Sequence, residues 1–245
     1  MDHTTTMRSA RSFRSITKLL LTAFAVIYLS GCAATHVSKI DQLSTIDGSS
    51  EIVLMPLDVE LSILTAAGLT EPQAEWTQNA VQHIKTAARE EFARRNSNLL
   101  LFDAGGLNAE STLVQLQKLH EAVGYTIRLH HYGPLKLPTK NNQIDWTLGD
   151  DIAALKEHTG ADYAMFVFVR DSYASAGRVA VQLLGAVAGV GVAGGTQYGF
   201  ASLVDLNSGE IVWFNQLISG SGDLRTKKAA DKTVTALLKT LPSAG

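Results

Sequence analysis

Residues Tyr163 to Val169 read Tyr-Ala-Met-Phe-Val-Phe-Val, which is the strongest strand signal in the chain. The run is apolar throughout and does not alternate with polar residues, so we expect both faces of this strand to be buried. Strands of this kind lie at the centre of a sheet that helices cover on both sides. The segment therefore predicts a central strand in a layered α/β domain.

Further strands are predicted on both sides of this segment. Downstream, residues 198–206 and 210–217 flank Asn207-Ser208-Gly209, a turn sequence typical of a β-hairpin. Upstream, residues 51–57 and 99–102 are short apolar runs, and the first of them stops near a proline. Together with the central strand, these segments predict a sheet of about five strands.

Helices are predicted between the strands. Thr70-Glu71-Pro72-Gln73 offers an N-cap and an early proline, and apolar residues follow at four-residue steps: Trp76, Ala80, Ile84, Ala88 and Phe92. Asn108 is expected to cap a second helix, a short third helix is expected to end at Gly160, and a last amphipathic helix follows the hairpin. This order predicts a single α/β sandwich, in which a mixed sheet of about five strands is flanked by helices, with a terminal β-hairpin and then a helix.

Residues 1–31 have the pattern of a secretory signal segment. An apolar run from Leu19 to Leu29 is followed by small residues and preceded by four basic ones: Arg8, Arg11, Arg14 and Lys18. A helix of this length spans roughly 16 Å, about half of a bilayer's hydrocarbon core, so a transmembrane anchor is not expected. Either Met1 or Met7 can serve as the start, because the first six residues add nothing that the pattern requires.

Cys32, the only cysteine of the chain, ends this segment. Leu29-Ser30-Gly31-Cys32 resembles the lipobox of bacterial lipoproteins, which implies cleavage between Gly31 and Cys32 and the attachment of diacylglycerol and an N-acyl chain to the cysteine. Ala33 and Ala34 stand where an aspartate would signal retention in the inner membrane. The resemblance therefore implies an outer-membrane lipoprotein that faces the periplasm. The alternative is an ordinary secreted protein whose cysteine is buried.

The mature chain is predicted to consist of a tether and a domain. Residues 32–50 are polar and aperiodic, which predicts a flexible lipidated tether, and residues 51–245 are the predicted periplasmic α/β domain. Removal of residues 1–31 takes four basic residues and one acidic residue from a chain whose formal net charge is -2. The mature protein is therefore acidic, which argues against nucleic acid or anionic lipid headgroups as main partners.

Two structural motifs resemble a known group of envelope lipoproteins: Gly160-Ala161-Asp162-Tyr163, and Asp205-Leu206-Asn207-Ser208-Gly209-Glu210 in the predicted hairpin. The group includes the curli-secretion lipoprotein, the lipoprotein activators of penicillin-binding proteins and uncharacterised outer-membrane lipoproteins, and its members share a domain similar to the amino-terminal domain of TolB. The resemblance extends over most of the predicted domain. It implies a periplasmic domain that binds protein partners and is not catalytic, but it does not choose among the members' roles.

The glycine-rich segment 179–195 is the main candidate for an interaction site. It contains no charged residue, and Gly185, Gly189, Gly191 and Gly195 form two G-x-x-x-G pairs, a spacing that lets helices approach closely. Three interpretations are open: a segment packed on the protein's own core, a self-association surface, or a membrane-inserting hairpin like that of the curli-secretion lipoprotein. The segment also contains G-x-G-x-x-G, but a nucleotide site requires that motif directly after a first strand, so we expect no nucleotide cofactor.

Trp146, which lies in a loop before a predicted helix cap, is the second candidate contact residue, since aromatic anchors dominate interfaces. The histidines lack zinc-site spacing and no serine lies in G-x-S-x-G, so neither a metal site nor a catalytic site is predicted. The sequence thus predicts a non-enzymatic, lipid-anchored protein that binds an envelope partner or copies of itself at the outer membrane. Two alternatives stay open: an oligomeric secretion or translocation component whose segment 179–195 enters the membrane, and a periplasmic hydrolase with a site assembled from loops.

Overall fold

The computed structural model describes residues 36–43, 51–95, 97–103, 111–220 and 223–244, which belong to one compact unit that begins at His36. Its strands are β1 (His36–Ser38), β2 (Gln42–Leu43), β3 (Glu51–Leu54), β4 (Asp58–Leu64), β5 (Thr70–Pro72), β6 (Asn98–Leu101), β7 (Tyr163–Ala174), β8 (Gln197–Asp205), β9 (Ile211–Ser219) and β10 (Ser243–Ala244). Its α-helices are α1 (Ala74–Arg94), α2 (Thr112–Ile127), α3 (Ala153–Thr159), α4 (Ala176–Val187) and α5 (Lys227–Leu238). The signal segment, Gly31, Cys32 and the predicted cap Asn108 lie outside the described residues.

Eight of the described strands form one mixed sheet around β7. The order across the sheet is β1-β9-β8-β7-β3-β6. On one side, β7 pairs with β8 in antiparallel register. On its other side, β7 pairs in parallel with β3 along residues 163–165 and then with β4 along residues 168–174. β5 pairs with the outer edge of β4. β8 and β9 form the predicted hairpin, in which Gln197 lies opposite Ser219.

β7 is central because its side chains are buried on both faces, as its unbroken apolar sequence predicts. Met165, Val167 and Val169 join the core on the first face of the sheet, and Phe166 and Phe168 join the core on the second. A strand with this pattern requires a layer of helices on each side. The predicted fold class, an α/β sandwich with a mixed sheet flanked by helices, is confirmed.

Helices supply both of these outer layers. α1 and α5 cover the first face, and the stripe of α1 at four-residue steps is its buried side, as predicted, with Ala80, Ile84, Ala88 and Phe92 in the core. α2 and α3 cover the second face with residues that include Leu116 and Leu155. Within the described ranges, no helix combines the length and the apolar character needed to cross a bilayer.

The sheet contains more strands than predicted. Residues 58–64, for which no strand was predicted, form β4, and Thr70–Pro72, which was expected to lie at the start of a helix, forms β5. α1 begins only at Ala74, and its N-cap residue Gln73 makes no side-chain capping bond. The physical reason is tertiary, because pairing with β7 satisfies the backbone groups of β4 and provides a core for Val59.

The flexible tether predicted for residues 32–50 does not extend over residues 36–43. β1 pairs with β9 in antiparallel register, with His36 opposite Asn215, and Leu43 is buried in the core of the first face. The outer edge of β9 supplies hydrogen-bond partners to this polar segment, so its composition does not reveal that it is ordered. The other residues of the predicted tether lie outside the described part of the chain.

Candidate interaction surface

The connection between β7 and β8 consists of α4 and a returning chain, residues 176–196, which we call the α4 hairpin. Ser175 caps the helix, since its Oγ accepts a hydrogen bond from the backbone N–H of Arg178 at 3.1 Å. The helix ends at Val187, and Gly189 turns the chain with a φ of +74°, a conformation that favours glycine. The chain then returns along the helix to β8.

Side chains of α4 hold the returning chain in place. Arg178 Nε donates a hydrogen bond to the carbonyl oxygen of Ala193 at 2.9 Å, and Gln182 Nε2 donates one to that of Val192 at 3.3 Å. Both donors lie on the side of α4 that faces the returning chain. The internal structure of the α4 hairpin is therefore defined by its own residues.

Three of the four predicted glycines have a role inside this structure. A Cβ atom on Gly185 would lie 2.7 Å from a methyl carbon of the returning chain, and one on Gly195 would lie 2.1 Å from the carbonyl oxygen of Ser172. Gly189 makes the turn, whereas a Cβ atom on Gly191 would meet nothing within 4 Å. The close approach that these glycines allow is thus an approach within the chain. Their role in self-association stays a prediction.

The outer face of the α4 hairpin is apolar and exposed. Leu183, Leu184 and Val187 expose 65%, 71% and 89% of their surface, and Val190 in the returning chain exposes 58%. No residue of α4 is buried. The interpretation of segment 179–195 as packed on the protein's own core is therefore wrong. The self-association and membrane interpretations are both compatible with this exposure.

The α4 hairpin stands at one end of the sheet, where β7 and β9 end and β8 begins. Its first turn approaches the turn between β4 and β5, where a Cβ atom on Gly177 would lie 3.2 Å from Ala66 Cβ. Ile218, near the end of β9, is 70% exposed at the same end. Exposed apolar side chains gathered at one end of a packed domain indicate a site of interaction. We therefore take this end of the domain as the candidate site.

Trp146, the second predicted contact residue, lies at the opposite end of the sheet. Its carbonyl oxygen accepts a hydrogen bond from the backbone N–H of Ile211, the first residue of β9, at 2.9 Å. The ring packs against the core of the second face, and Lys140 Nζ lies 4.8 Å from the ring centroid. The structure therefore does not bring Trp146 together with the glycines. A contact role for Trp146 stays a prediction.

His120 is a buried histidine whose side chain makes contacts only within the fold. His120 of α2 faces the sheet, where its Nε2 is hydrogen-bonded to Ser202 Oγ and its ring stacks on Phe166 with a centroid distance of 4.6 Å. Burial lowers the pKa of His120 to about 3, so the ring is neutral at neutral pH. In the part of the chain that the structure describes, no three His, Cys, Asp or Glu side chains converge in a way that could hold a metal ion.

Asp171, which the sequence analysis did not single out, organises a buried polar network near the α4 hairpin. Its Oδ2 accepts hydrogen bonds from Tyr173 OH, from Gln197 Nε2 at 2.9 Å and from the backbone N–H of Leu224 at 3.2 Å. Burial raises the pKa of Asp171, although these three hydrogen bonds act in the opposite direction. Gln197 Oε1 accepts a further bond from Thr233 of α5. The network joins β7, β8 and α5. The only sequence feature that could have indicated it is an acidic residue, Asp171, close behind the apolar run of β7.

The G-x-G-x-x-G match at residues 189–194 lies in the returning chain, behind the carboxyl end of α4. Nucleotide phosphates bind at the amino end of a helix, where the N–H groups and the dipole favour negative charge. The carboxyl end has the opposite polarity. The structural context that a dinucleotide site requires is therefore not met at this motif.

Comparison with known proteins gives distant structural similarities. No family model matches the chain, and no curated protein matches its sequence. Solved structures that match part of the chain include the PelC dodecamer from Paraburkholderia phytofirmans, with a TM-score of 0.40, 10% identity, and coverage of 85% of this chain and 97% of that chain. They also include lipoprotein GNA1162 from Neisseria meningitidis, with a TM-score of 0.30, 14% identity, and coverage of 71% of this chain and 81% of that chain. A third is the LpoB C-terminal domain from Salmonella enterica, with a TM-score of 0.25, 15% identity, and coverage of 70% of this chain and 82% of that chain. At these values the likeness is distant.

Proposed function

We propose that this protein is a lipid-anchored, non-catalytic module of the bacterial cell envelope that holds a neighbouring component at the periplasmic face of the outer membrane. Leu29-Ser30-Gly31-Cys32 at the end of a signal segment supports acylation of Cys32, and Ala33 and Ala34 favour the outer membrane. Each buried methylene of an acyl chain contributes about 0.8 kcal/mol, and two or more chains give stable anchoring. The lipid fixes where the domain works.

The observation that carries the proposal is the exposed, uncharged surface of the α4 hairpin. α1, α2 and α5 each bury an apolar face, whereas α4 buries none of its residues. Full burial of a leucine or valine side chain is worth about 1.5–3 kcal/mol relative to exposure. Covering Leu183, Leu184 and Val187 with a hydrophobic neighbour is therefore favourable, and that neighbour can be another envelope protein, a second copy of the chain or lipid.

The buried polar side chains support a non-catalytic role. His120 bonds to Ser202, and Asp171 accepts three hydrogen bonds from the fold around it. Glu91 accepts a hydrogen bond from Arg95 Nε at 2.8 Å and another from the guanidinium of Arg94. These hydrogen bonds tie the three side chains to neighbouring parts of the fold, and this structural role supports the proposal of a non-catalytic module.

The anchor is tested with Cys32→Ala in a bacterial host. Wild-type protein should incorporate radioactive palmitate and fractionate with the outer membrane, and the variant should incorporate none, because the acylated thiol is gone. Continued labelling of the variant would contradict acylation at Cys32. Wild-type protein that stays in the cytosol with residues 1–31 attached would contradict the proposed location as well.

The binding surface is tested by a photo-crosslinking amino acid at position 184, with position 157 as the matched control. Leu184 and Glu157 are both exposed and both lie on helices, but Glu157 is on α3, at the other end of the sheet. We expect covalent adducts, with protein or with lipid, from position 184 in intact cells and few from position 157, and mass spectrometry identifies which neighbour has reacted. Equal yields at the two positions would count against the α4 hairpin as the contact surface.

The exposed, uncharged surface of the α4 hairpin also favours a second candidate function. In it, the protein is an oligomeric secretion or translocation component whose segment 179–195 enters the membrane. The segment is apolar, lacks charge and leaves and rejoins the sheet at one end, which suits a hairpin that inserts. Light scattering of the purified protein and leakage from dye-filled liposomes test this candidate. Closed rings that make liposomes leak would support it, whereas monomers or dimers without leakage would support the first.

A further inference from the structure

We infer that the apolar face of the α4 hairpin lies on the lipid surface of the membrane that holds the acylated Cys32, so that the domain rests on the bilayer in one orientation. The inference deepens the proposed function, on whose lipid anchor it depends, and it names the lipid itself as the neighbour of this surface. It follows from the direction of β1, the length of chain before it and the chemistry of the α4 hairpin.

The direction of β1 shows where the chain enters the domain. His36 lies opposite Asn215 and Ser38 lies opposite Trp213, so β1 is antiparallel to β9. Read backwards from Ser38 to His36, the chain therefore advances along β9 toward Ser219. The amino-terminal segment enters the domain from the end of the sheet at which β9 finishes.

The α4 hairpin projects from that same end. Ser219 lies opposite Gln197, the first residue of β8, and Gln197 lies opposite Asp171 near the end of β7. α4 begins two residues after β7 ends at Ala174, and the returning chain joins β8 at Gln197. The entry point of the chain and the exposed apolar surface are thus on one side of the domain.

The chain between the anchor and β1 is too short to hold the domain away from the bilayer. Four residue steps separate Cys32 from His36, and four fully extended residues span at most about 14 Å. The strand from Asn215 to Ser219 covers the same number of residues at about 3.4 Å each, which is again roughly 14 Å. Acyl chains seated in the membrane therefore bring the headgroup region to the level of the sheet end that carries the α4 hairpin.

The surface that meets the bilayer has suitable chemistry. Segment 179–195 has no charged side chain, and Leu183, Leu184 and Val187 project from it. The one cation of α4, Arg178, donates to the carbonyl oxygen of Ala193. α4 has 12 residues and is therefore about 18 Å long, which fits a helix lying in the interface and not one that crosses the hydrocarbon.

Fluorescence quenching by lipid tests this orientation. Acylation occupies the chain's own cysteine, so Leu184→Cys supplies a single free thiol for an environment-sensitive nitrobenzoxadiazole label. The labelled, acylated full chain is reconstituted into phosphatidylethanolamine–phosphatidylglycerol vesicles with and without nitroxide-bearing lipids. Glu157→Cys is the matched control, and Val187→Cys is a second position on the α4 hairpin.

We expect labels at positions 184 and 187 to shift to the blue on the vesicles and to lose most of their emission to the nitroxide lipids, while the label at position 157 does neither. A label at 184 that is shielded from water but not quenched, together with a crosslinked dimer, would overturn the inference in favour of a second copy. Emission at 184 that matches the control would also overturn it.

Flotation of the same vesicles separates this inference from the anchor. Protein that floats with the vesicles but shows no quenching at position 184 overturns the orientation and leaves the anchor intact. Protein that does not float at all overturns the anchor, and the inferred orientation falls with it.

Discussion

The imidazole of His120 lies nearly parallel to the ring of Phe166, at an interplanar angle of 22°, and its Nε2 is hydrogen-bonded to Ser202 Oγ. The ring is completely enclosed between α2 and the sheet, which lowers its pKa from 6.5 to about 3. A histidine in this environment packs as an aromatic ring with one polar contact. Its charge state therefore links the stability of the core to pH.

We expect the free energy of unfolding to fall as the pH drops below 6.5. The unfolded chain then binds a proton at His120, while the folded chain does not until the pH nears 3, so protonation favours the unfolded state. The loss should be about 1.4 kcal/mol between about pH 7.5 and about pH 5.5, measured by denaturant unfolding. His120→Gln should be less stable at neutral pH but should lose less on acidification, and an equal loss in both proteins would contradict this assignment.

Gly195→Ala should destabilise the protein, because its Cβ atom would lie 2.1 Å from the carbonyl oxygen of Ser172 in β7. Forcing such overlap costs about 1–3 kcal/mol, so the midpoint of thermal unfolding should fall clearly. Gly191→Ala is the control, because its Cβ atom meets nothing within 4 Å and should change the stability by no more than about 0.5 kcal/mol. Similar effects of the two substitutions would argue against the described path of the returning chain.

Asp171→Ala should be among the more damaging single substitutions. It would leave Tyr173 OH and Gln197 Nε2 without their acceptor, and a buried unsatisfied donor costs about 1–3 kcal/mol. The Leu224 N–H would keep Tyr173 OH as an acceptor at 2.8 Å. Tyr173→Phe removes one donor to Asp171 and one of the two acceptors of the Leu224 N–H, which keeps Asp171 Oδ2 at 3.2 Å, so it should cost about 1 kcal/mol. Urea unfolding of both variants measures their losses in the free energy of unfolding. A larger loss for Tyr173→Phe than for Asp171→Ala would contradict the central role of Asp171.

Leu184→Ser and Val187→Ser should leave the stability of the isolated domain within about 0.5 kcal/mol of the wild type, because both side chains are mostly exposed. Ile84→Ala, at a buried position of α1, should cost about 2–5 kcal/mol. Thermal unfolding in the absence of lipid compares the stability of these three variants with that of the wild type. A loss of several kcal/mol for the serine variants would mean that α4 is packed on the core after all.

Much of the fold could be predicted because its signals are local. The unbroken apolar run of β7 and the Asn207-Ser208-Gly209 turn each indicate their structure within a few residues. β4 also has a local signal, since Val59 and Leu61 are buried and alternate with the half-buried Asp58 and Glu60, so this strand could have been predicted. Alternation of polar and apolar residues with a period of two is typical of a strand and is not expected in a loop.

Other features depend on distant parts of the chain and left no local signal. β1 is ordered by the edge of β9, which lies near the other end of the sequence. The exposure of α4 was missed for a related reason, since an apolar helix looks the same in sequence whether or not another element covers it. The glycine-rich segment could therefore be chosen as a candidate site, while its position in the fold had to come from the structure.

The three-residue pairing of β1 with β9 also bears on how fragments of this protein behave. A polypeptide that begins after Ser38 would lack β1, so the edge of β9 at residues 213–215 would lose its paired strand. A bare strand edge of this kind recruits strands from other molecules. Aggregates formed by such a shortened polypeptide would then report the missing strand, and any study of native stoichiometry has to retain the chain from His36 onward.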